Sequence, residues 1–302
     1  MAEVVVLVGP TASGKSDVAM ELARRRGGVI ISADSMQVYR GMDIGTAKPT
    51  QADREEIAHE MVDVADPDTD FTVAHFQMVA REALMHHAKR RVIIAGGSGL
   101  HVRAIVDPMD FPPFDPTIRA EIESLGEGRA LSELRQADPD VDSVLDVKNS
   151  RRVIRALEIV RSGGLTPTER VQQPQYAKIK DYIPQIPFIG FGFDPGELLE
   201  QRVRQRVDAM FESGLVAEVD SLASTLGNAA GQAVGYKEVL LHLAENDDLK
   251  TAKNGVISAT LHLVKRQRTF FRRDPRINWL AWDDDPRERA ARLFSEMDRL
   301  SA

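Results

Sequence analysis

The sequence predicts an α/β protein: an open, doubly wound parallel sheet flanked by helices, carrying a helical insertion. Three observations lead there. Short apolar runs rich in β-branched residues alternate with stretches of helical periodicity. The first run, Val4–Val8, passes through Gly9-Pro10-Thr11-Ala12-Ser13-Gly14-Lys15-Ser16 into a helical pattern. Residues 107–116 then hold four prolines in ten positions, and the patterns that follow are helical only.

Val4–Val8 contains no polar residue, as expected of a strand covered on both faces. Beyond it Val18, Ala19, Leu22 and Ala23 recur at helical spacing. The eight residues between match the P-loop spacing G-x-x-x-x-G-K-[ST]. Its glycines let backbone N–H groups close on an anion, its lysine adds a point charge and its hydroxyl suits Mg²⁺. A ligand bearing a diphosphate is implied, held by Gly9, Thr11, Ala12, Ser13, Gly14, Lys15 and Ser16.

A second strand over 29–32 ends at Ala33-Asp34, and the polar segment 35–49 contains little that would build a core. A loop of that length in a compact domain is expected over the carboxyl end of the sheet, next to the phosphate site. A helix at 52–58 and a short strand at 61–64 follow. Residues 72–90 carry the helical stripe Val73, Phe76, Val79, Ala80, Ala83 and Leu84, and a strand at 92–95 closes on Gly96-Gly97-Ser98-Gly99. After the prolines, helices are expected at 117–125, 130–137, 141–145 and 151–161, then an irregular stretch over 165–187. The strand at 188–193, helices at 196–213, 216–224, 236–244 and 249–273, the strand at 277–281 and a last helix return to the sheet domain. The expected organisation is a core of 1–114 with 186–302 and a helical insertion of 115–185.

Composition narrows the function. No apolar run reaches the eighteen or so residues of a membrane span, and the chain opens on a core strand with no charged leader before it, so a cytoplasmic protein without a membrane partner is expected. With no cysteine there are no disulfides, thiolate nucleophiles or Cys-type metal sites, and the seven histidines show no metal-ligand spacing. A net charge of −7 argues against a surface that binds nucleic acid everywhere; such a partner would be met by local basic faces.

The strand at 92–95 runs into glycines, where ATP-driven machines carry an Asp for the magnesium shell. The acidic group near the cradle is instead Asp34, at a strand end, where ligands of open α/β sheets sit; a turn-forming Asp is the plainer reading. On the helix at 196–213 Arg206 falls inside the apolar stripe and Arg202 at its edge, which suits either an internal ion pair or an arginine aimed at phosphates. Arg151, Arg152 and Arg155 form one basic face. Lys265, Arg268 and Arg272 form another, in a run where six of the twelve residues 265–276 are Lys or Arg. Two such clusters beside a phosphate site in an acidic protein suggest a polyanion such as RNA, against the simpler reading of solvated helix faces.

The cradle, together with Ser-Ala-Asp-Ser-Met-Gln-Val-Tyr-Arg-Gly-Met-Asp-Ile-Gly-Thr-Ala-Lys-Pro over 32–49, resembles the signature of the tRNA dimethylallyltransferases, or tRNA isopentenyltransferases. Gly-Gly-Ser-Gly-Leu-His (96–101), Arg-Arg-Val-Ile-Arg-Ala-Leu-Glu (151–158), Val-Gly-Tyr-Lys-Glu (234–238) and Lys-Arg-Gln (265–267) resemble further blocks of that family, in order. The resemblance implies transfer of the dimethylallyl group of dimethylallyl diphosphate to the N6 amine of the adenosine just 3′ of the anticodon in tRNA, with loss of diphosphate. The cradle then holds a leaving group: Lys15, the N–H groups of residues 11–16 and Mg²⁺ near Ser16, directly or through water, stabilise charge as the C–O bond breaks. Asp34 matches the family's general base and Arg202 its arginine on the diphosphate, which leaves Arg206 as the structural member of the pair. Asp34, Ser35, Met36, Gln37 and Ser98 match positions that touch the RNA. Arg151, Arg152 and Arg155 match a block on its backbone, and Lys265 and Arg268 fall in the second basic face. A monomer acting on the tRNA anticodon stem-loop is expected. Ser16 and Ser98 stand where the family more often has Thr, His101 where it has Tyr, and residues 260–264 also depart from its pattern. A phosphotransferase of the nucleotide-kinase kind, and prenyl transfer to a free adenine nucleotide, are the alternatives.

Overall fold

The computed structural model describes residues 3–245 and 248–301. Among these, six parallel strands form one sheet: β1 Val4–Val8, β2 Val29–Ser32, β3 His59–Glu60, β4 Val92–Gly96, β5 Ile189–Phe193 and β6 Ile277–Leu280, in the order β3-β2-β4-β1-β5-β6. The apolar run that opens the chain lies at the centre, with Val5 opposite both Ile93 and Ile189. Because side chains of a strand alternate between faces, Val4, Val6 and Val8 join Ile31, Val92 and Ile94 in one core, whereas Val5 and Leu7 join Ile30 and Ile93 in the other. Helices Val73–His86, Gly99–Val106, Leu199–Glu212 and Leu249–Phe271 contribute to the first core, and helices Lys15–Arg26 and Pro286–Ser301 to the second. Both faces are therefore covered, which is why the strands read as unbroken hydrophobic runs. No helix among the described residues is long and apolar enough to cross a membrane.

Two compact units emerge, residues 1–106 with 186–302, and Asp107–Gln185. The second has its own core of Ile122, Ala130, Leu134, Val141, Val153 and Leu157. Its helix Ser150–Arg161 is strongly amphipathic, and Asn149 caps it by accepting from the Arg152 N–H. Within this unit Glu158 is fully buried, and Arg155 donates to its Oε1 at 2.6 Å.

Several elements differ from the sequence expectation. The short strand expected at 61–64 pairs two residues earlier, at His59–Glu60, because Met61 and Asp63 take left-handed backbone with φ of 64° and 56° and end the extended run. Gly99–Val106 forms a helix immediately after the glycine closure. The stretch expected to be irregular holds two short helices, Pro167–Val171 and Pro174–Lys180, each with proline in its first turn. Thr166 and Glu169 close a capping box on the first of them. The helix expected at 141–145 is a single 3-10 turn, Val141–Ser143.

The segment 35–49 also builds more core than its polarity suggested. Val38, Tyr39 and Met42 are completely or almost completely buried. Its backbone is held from beneath by Glu218, whose carboxylate accepts the N–H groups of Asp43 (3.0 Å), Ile44 (2.8 Å) and Gly45 (3.0 Å), and also the Tyr236 hydroxyl. Hydrogen bonds to a charged acceptor are roughly twice as strong as neutral ones, so one carboxylate fixes three successive peptides. Gly45 is obligatory there, since a Cβ would lie 2.4 Å from the Tyr236 ring.

Candidate active site

With every strand parallel, all the carboxyl ends lie along one edge of the sheet. The cradle follows β1, Asp34 follows β2, Ser98 follows β4, Asp194 follows β5 and Trp282 follows β6. Ligands of such sheets bind at this edge, and the sequence-predicted residues of the core unit gather there.

The cradle is shaped by two left-handed residues, Ala12 (φ 65°) and Gly14 (φ 78°). Its peptide groups divide into two sets. The Thr11 N–H donates to Gln267 Oε1 at 2.8 Å and the Ser13 N–H to the Pro10 carbonyl at 3.1 Å, so neither is free for an anion, contrary to the expectation that every amide from 11 to 16 points inward. The amides of Ala12, Gly14, Lys15 and Ser16 have no protein acceptor among the described residues. Two of the carbonyls are taken by side chains from distant parts of the chain: Ala12 accepts from Arg202 Nε at 2.9 Å and Ser13 from the indole N–H of Trp282 at 2.8 Å. Gly14 takes a left-handed φ of 78° that strains any other residue, and a Cβ there would also displace Arg289, whose Nη2 would lie 2.5 Å away.

Lys15 and Ser16 open onto a cavity of about 950 Å³ that Arg202, Arg206 and Gln37 also line. A second cavity of about 270 Å³ is lined by Asp34, Ser35, Met36, Ser98, Arg206 and Gln267, with apolar walls from Val207, Met210 and Val256. Arg206 borders both. Its guanidinium has no hydrogen-bond or ion-pair partner among the described residues, and burial pulls its pKa down while the nearby Asp34 charge opposes the shift. Burial, and then Arg206, push the Lys15 ammonium down to about 8, against the pull of Asp34 and Asp17. Two part-buried cations on one cavity, with Asp34 the carboxylate that acts on both, form a site that gains by taking up further negative charge.

Arg202 is the opposite case. It is held on three sides, by the Ala12 carbonyl, by Asp284 Oδ1 at 2.6 Å and by the Trp282 ring 5.0 Å from its guanidinium carbon. The sequence expected Arg202 on the ligand and Arg206 in the framework; both line the cradle cavity, and of the two it is Arg202 whose guanidinium is tied to the framework. A helical wheel sets the two on one face, four residues apart, and only residues some eighty positions later distinguish them.

Asp34 makes a turn and also borders a cavity. Its Oδ1 accepts the Met36 N–H at 2.8 Å, which makes the turn that starts the 35–49 segment, and the same carboxylate borders the second cavity. Ser98 Oγ lies 2.6 Å from His101 Nδ1, and the His101 ring packs edge-on against Phe76. Burial lowers the His101 pKa, leaving a neutral imidazole to orient the serine hydroxyl. Gln37 spends its amide on its own segment, accepting from Ser32 Oγ at 2.7 Å and donating to the Thr46 and Ala47 carbonyls at 3.2 Å each.

The basic residues expected on RNA also separate. Arg151 and Arg152 are exposed. Arg155 is consumed inside its own unit, donating to Pro112 and Pro113 carbonyls as well as to Glu158, so a role on the RNA backbone does not fit its contacts. Lys265 is exposed, whereas Arg268 binds Asp194 and the Gly196 carbonyl and is part of the framework. Sequence reasoning overlooked Gln267, Trp282 and Arg289. Gln267 had a signal: it is a polar residue on the buried stripe Ala252, Val256, Thr260, Val264, Gln267, Phe271 of its helix.

Comparison with known proteins decides the family. The family model described as IPP transferase matches residues 37–274. The chain belongs to the IPP transferase family. It is 42% identical over 298 residues to a tRNA dimethylallyltransferase of Acidothermus cellulolyticus, covering 95% of this chain and 92% of that one. It is also 42% identical over 288 residues to one of Streptomyces coelicolor, covering 92% and 90%. The crystal structure of the full-length tRNA isopentenylpyrophosphate transferase from Bacillus halodurans has the same fold, with a TM-score of 0.68 at 32% identity over 100% of this chain and 98% of that one.

In this member of the family no group of three or more His, Asp or Glu among the described residues could hold a metal ion. The donor set at the cradle, one serine hydroxyl opening on the Lys15 cavity, fits a different arrangement. Mg²⁺ keeps several waters and takes one or two protein ligands plus phosphate oxygens, so Ser16 suits a cation that arrives with a diphosphate.

Proposed function

We propose that this chain transfers the dimethylallyl group of dimethylallyl diphosphate to the N6 amine of the adenosine 3′-adjacent to the anticodon in tRNA, releasing diphosphate. The observation that carries this reading is the pair of cavities meeting at Arg206, one on the phosphate cradle and the other on the Asp34 carboxylate. A leaving anion and an attacking amine need opposite surroundings, and Arg206 lies where the two adjoin.

The adenosine nitrogen attacks the allylic carbon from the Asp34 side while the bond from that carbon to the diphosphate oxygen breaks on the cradle side. Charge develops on the departing oxygen. The amides of Ala12, Gly14, Lys15 and Ser16, the Lys15 ammonium and the Arg206 guanidinium face it and stabilise it more than they do the esterified diphosphate. Mg²⁺ held through Ser16 supplies further neutralisation when bound. Asp34 takes the proton that the amine loses, and its second role in the Met36 turn keeps the carboxylate in place. Ser98, oriented by His101, and Ser35 and Met36 face the base, which must leave the anticodon-loop stack to arrive there. Arg151, Arg152 and Lys265 suit contacts to the RNA backbone, a local answer to the chain's overall negative charge. Asp107–Gln185 is the unit assigned to the RNA, and the protein acts as a monomer in the cytoplasm.

Lys15 makes the anion site pH-dependent. Its ammonium in the empty protein is charged below about pH 8 and neutral above, and bound diphosphate favours the charged form, so affinity for inorganic diphosphate with Mg²⁺ falls as pH rises through that value. A Lys15→Arg variant keeps its charge throughout. Titration calorimetry between roughly pH 7 and pH 9 should give the wild type the steeper loss of affinity, whatever the variant's absolute affinity; equal slopes would contradict the assignment of Lys15.

Labelled dimethylallyl diphosphate, offered with AMP or with tRNA, tests the reaction. Label should enter tRNA and not AMP. Transfer to AMP alone, or consumption of ATP with the label ignored, would overturn the proposal.

A further inference from the structure

The segment that follows β6, residues 281–289, touches the cradle at Ser13 and Gly14 and also holds Arg202, contacts to which prenyl transfer itself gives no role. The Trp282 indole N–H donates to the Ser13 carbonyl at 2.8 Å. The face of the same ring carries two guanidinium groups, Arg202 at 5.0 Å and Arg289 at 5.4 Å. Arg289 is completely buried, binds the carbonyls of Asp283 (2.7 Å) and Asp284 (3.0 Å), and fills the space a side chain on Gly14 would need. Its Nε has no hydrogen-bond partner, and burial lowers its pKa.

The chemistry of a planar trans peptide gives these contacts a consequence. The carbonyl of one residue and the N–H of the next point in opposite directions, and the chain has no cis peptide among its described residues. A Ser13 carbonyl held by Trp282, which does not line the Lys15 cavity, therefore aims the Gly14 N–H the opposite way, and Gly14 does line that cavity. Arg202, stacked on the ring and bonded to the Ala12 carbonyl, is fixed by the same indole. A cation over a tryptophan face within about 6 Å is attracted by the ring, so the ring face and the indole N–H act on adjacent peptides of one loop.

We propose that Trp282 is a positioning residue for the diphosphate: through its N–H and its ring face it sets the orientation of the Ser13–Gly14 peptide and of Arg202, and so presets the cradle before ligand arrives. This rests on the reading of the cradle as a diphosphate site, and it adds a residue far along the chain to that site. Trp282 touches no reacting atom. It acts through Ser13, Arg202 and Arg289.

The test uses the full chain with inorganic diphosphate and Mg²⁺ as probe, measured by titration calorimetry, beside steady-state kinetics with each substrate varied in turn. Trp282→Phe keeps a ring face and loses the N–H; Trp282→Leu loses both. Expected is a weakening of diphosphate binding by about 3- to 10-fold for Phe, the size of one lost neutral hydrogen bond, and by more than about 10-fold for Leu as the cation–π contact goes as well. The KM for dimethylallyl diphosphate should rise in the same order while the KM for tRNA stays within about twofold, a split that a general loss of structure does not produce. Should the Leu variant fail to fold, the Phe variant alone decides. Diphosphate binding unchanged in a folded Phe variant, or an equal rise in both KM values, would overturn the proposal. Wild-type protein that does not bind diphosphate at all would instead overturn the reading of the cradle on which it rests.

Discussion

Replacing Asp34 with alanine is expected to slow prenyl transfer by about a hundredfold or more while tRNA affinity stays within about twofold. The reason is the division of labour at the strand ends. Asp34 is the carboxylate bordering the second cavity, and removing a positioned general base typically costs 10² to 10⁴ in rate. Its loss also removes the acceptor of the Met36 N–H, so part of the effect is structural, and Asp34→Asn separates the two: asparagine keeps an oxygen for the turn but cannot take up the proton. Both variants should therefore be slow, with Asn the closer to wild type in thermal stability. The segment beyond Met36 has its own supports, Glu218 beneath Asp43, Ile44 and Gly45, and Lys48 with Asp43 and Asp63, so the binding surface should survive. Single-turnover kinetics with a separate tRNA-binding assay measures each part. Near-normal turnover in the Asn variant would remove Asp34 from the mechanism.

Arg206→Met should cost activity and leave stability in place. The guanidinium borders both cavities and has no protein partner among the described residues, and burial disfavours its charge. Exchanging this part-buried cation for an apolar side chain of similar length breaks no hydrogen bond or ion pair among the described residues and removes a charge that burial disfavours, so stability should hold. A donor aimed at developing charge is worth about 10² to 10³ in rate, so kcat/KM should fall by that factor while Tm holds. The Lys15 ammonium, relieved of its neighbour's repulsion, should also regain a higher pKa. Arg202→Met is the contrast. It breaks bonds to the Ala12 carbonyl and to Asp284 and leaves the Trp282 ring, so it should lower stability as well as diphosphate affinity. If Arg206→Met destabilised the protein and Arg202→Met did not, the two roles would have to be exchanged.

The readable parts of this molecule are those where one physical constraint acts locally. Val4–Val8 and the strands at 29–32 and 92–95 are buried on both faces, so an unbroken apolar run suffices to place them. The cradle is legible because a backbone anion site needs glycine and lysine at fixed spacing. Asp34 is legible from its position at a strand end. Legibility fails where the deciding partner is distant in sequence. Val38, Tyr39 and Met42 follow no period, so their burial depends on a surface built by other elements. The short helices at Pro167–Val171 and Pro174–Lys180 lie below the length at which periodicity is informative, although Thr166 and Glu169 spelled a capping box. Arg202 and Arg206 are equivalent on a wheel until Trp282 and Asp284 claim the first, and Arg155 and Arg268 read as solvated bases until Glu158 and Asp194 are brought against them. A basic face in sequence is thus a count of cations, and only the fold shows how many are already neutralised.

Mass analysis of the adenosine 3′-adjacent to the anticodon, after the protein is incubated with unmodified tRNA, dimethylallyl diphosphate and Mg²⁺, addresses the central claim most directly. That one nucleoside should gain the mass of a single dimethylallyl group, less the hydrogen it replaces, with one diphosphate released for each, and every other adenosine in the tRNA should be unchanged. An anticodon loop recovered without added mass while the protein binds diphosphate normally, or the added mass at a different nucleotide, would contradict the account.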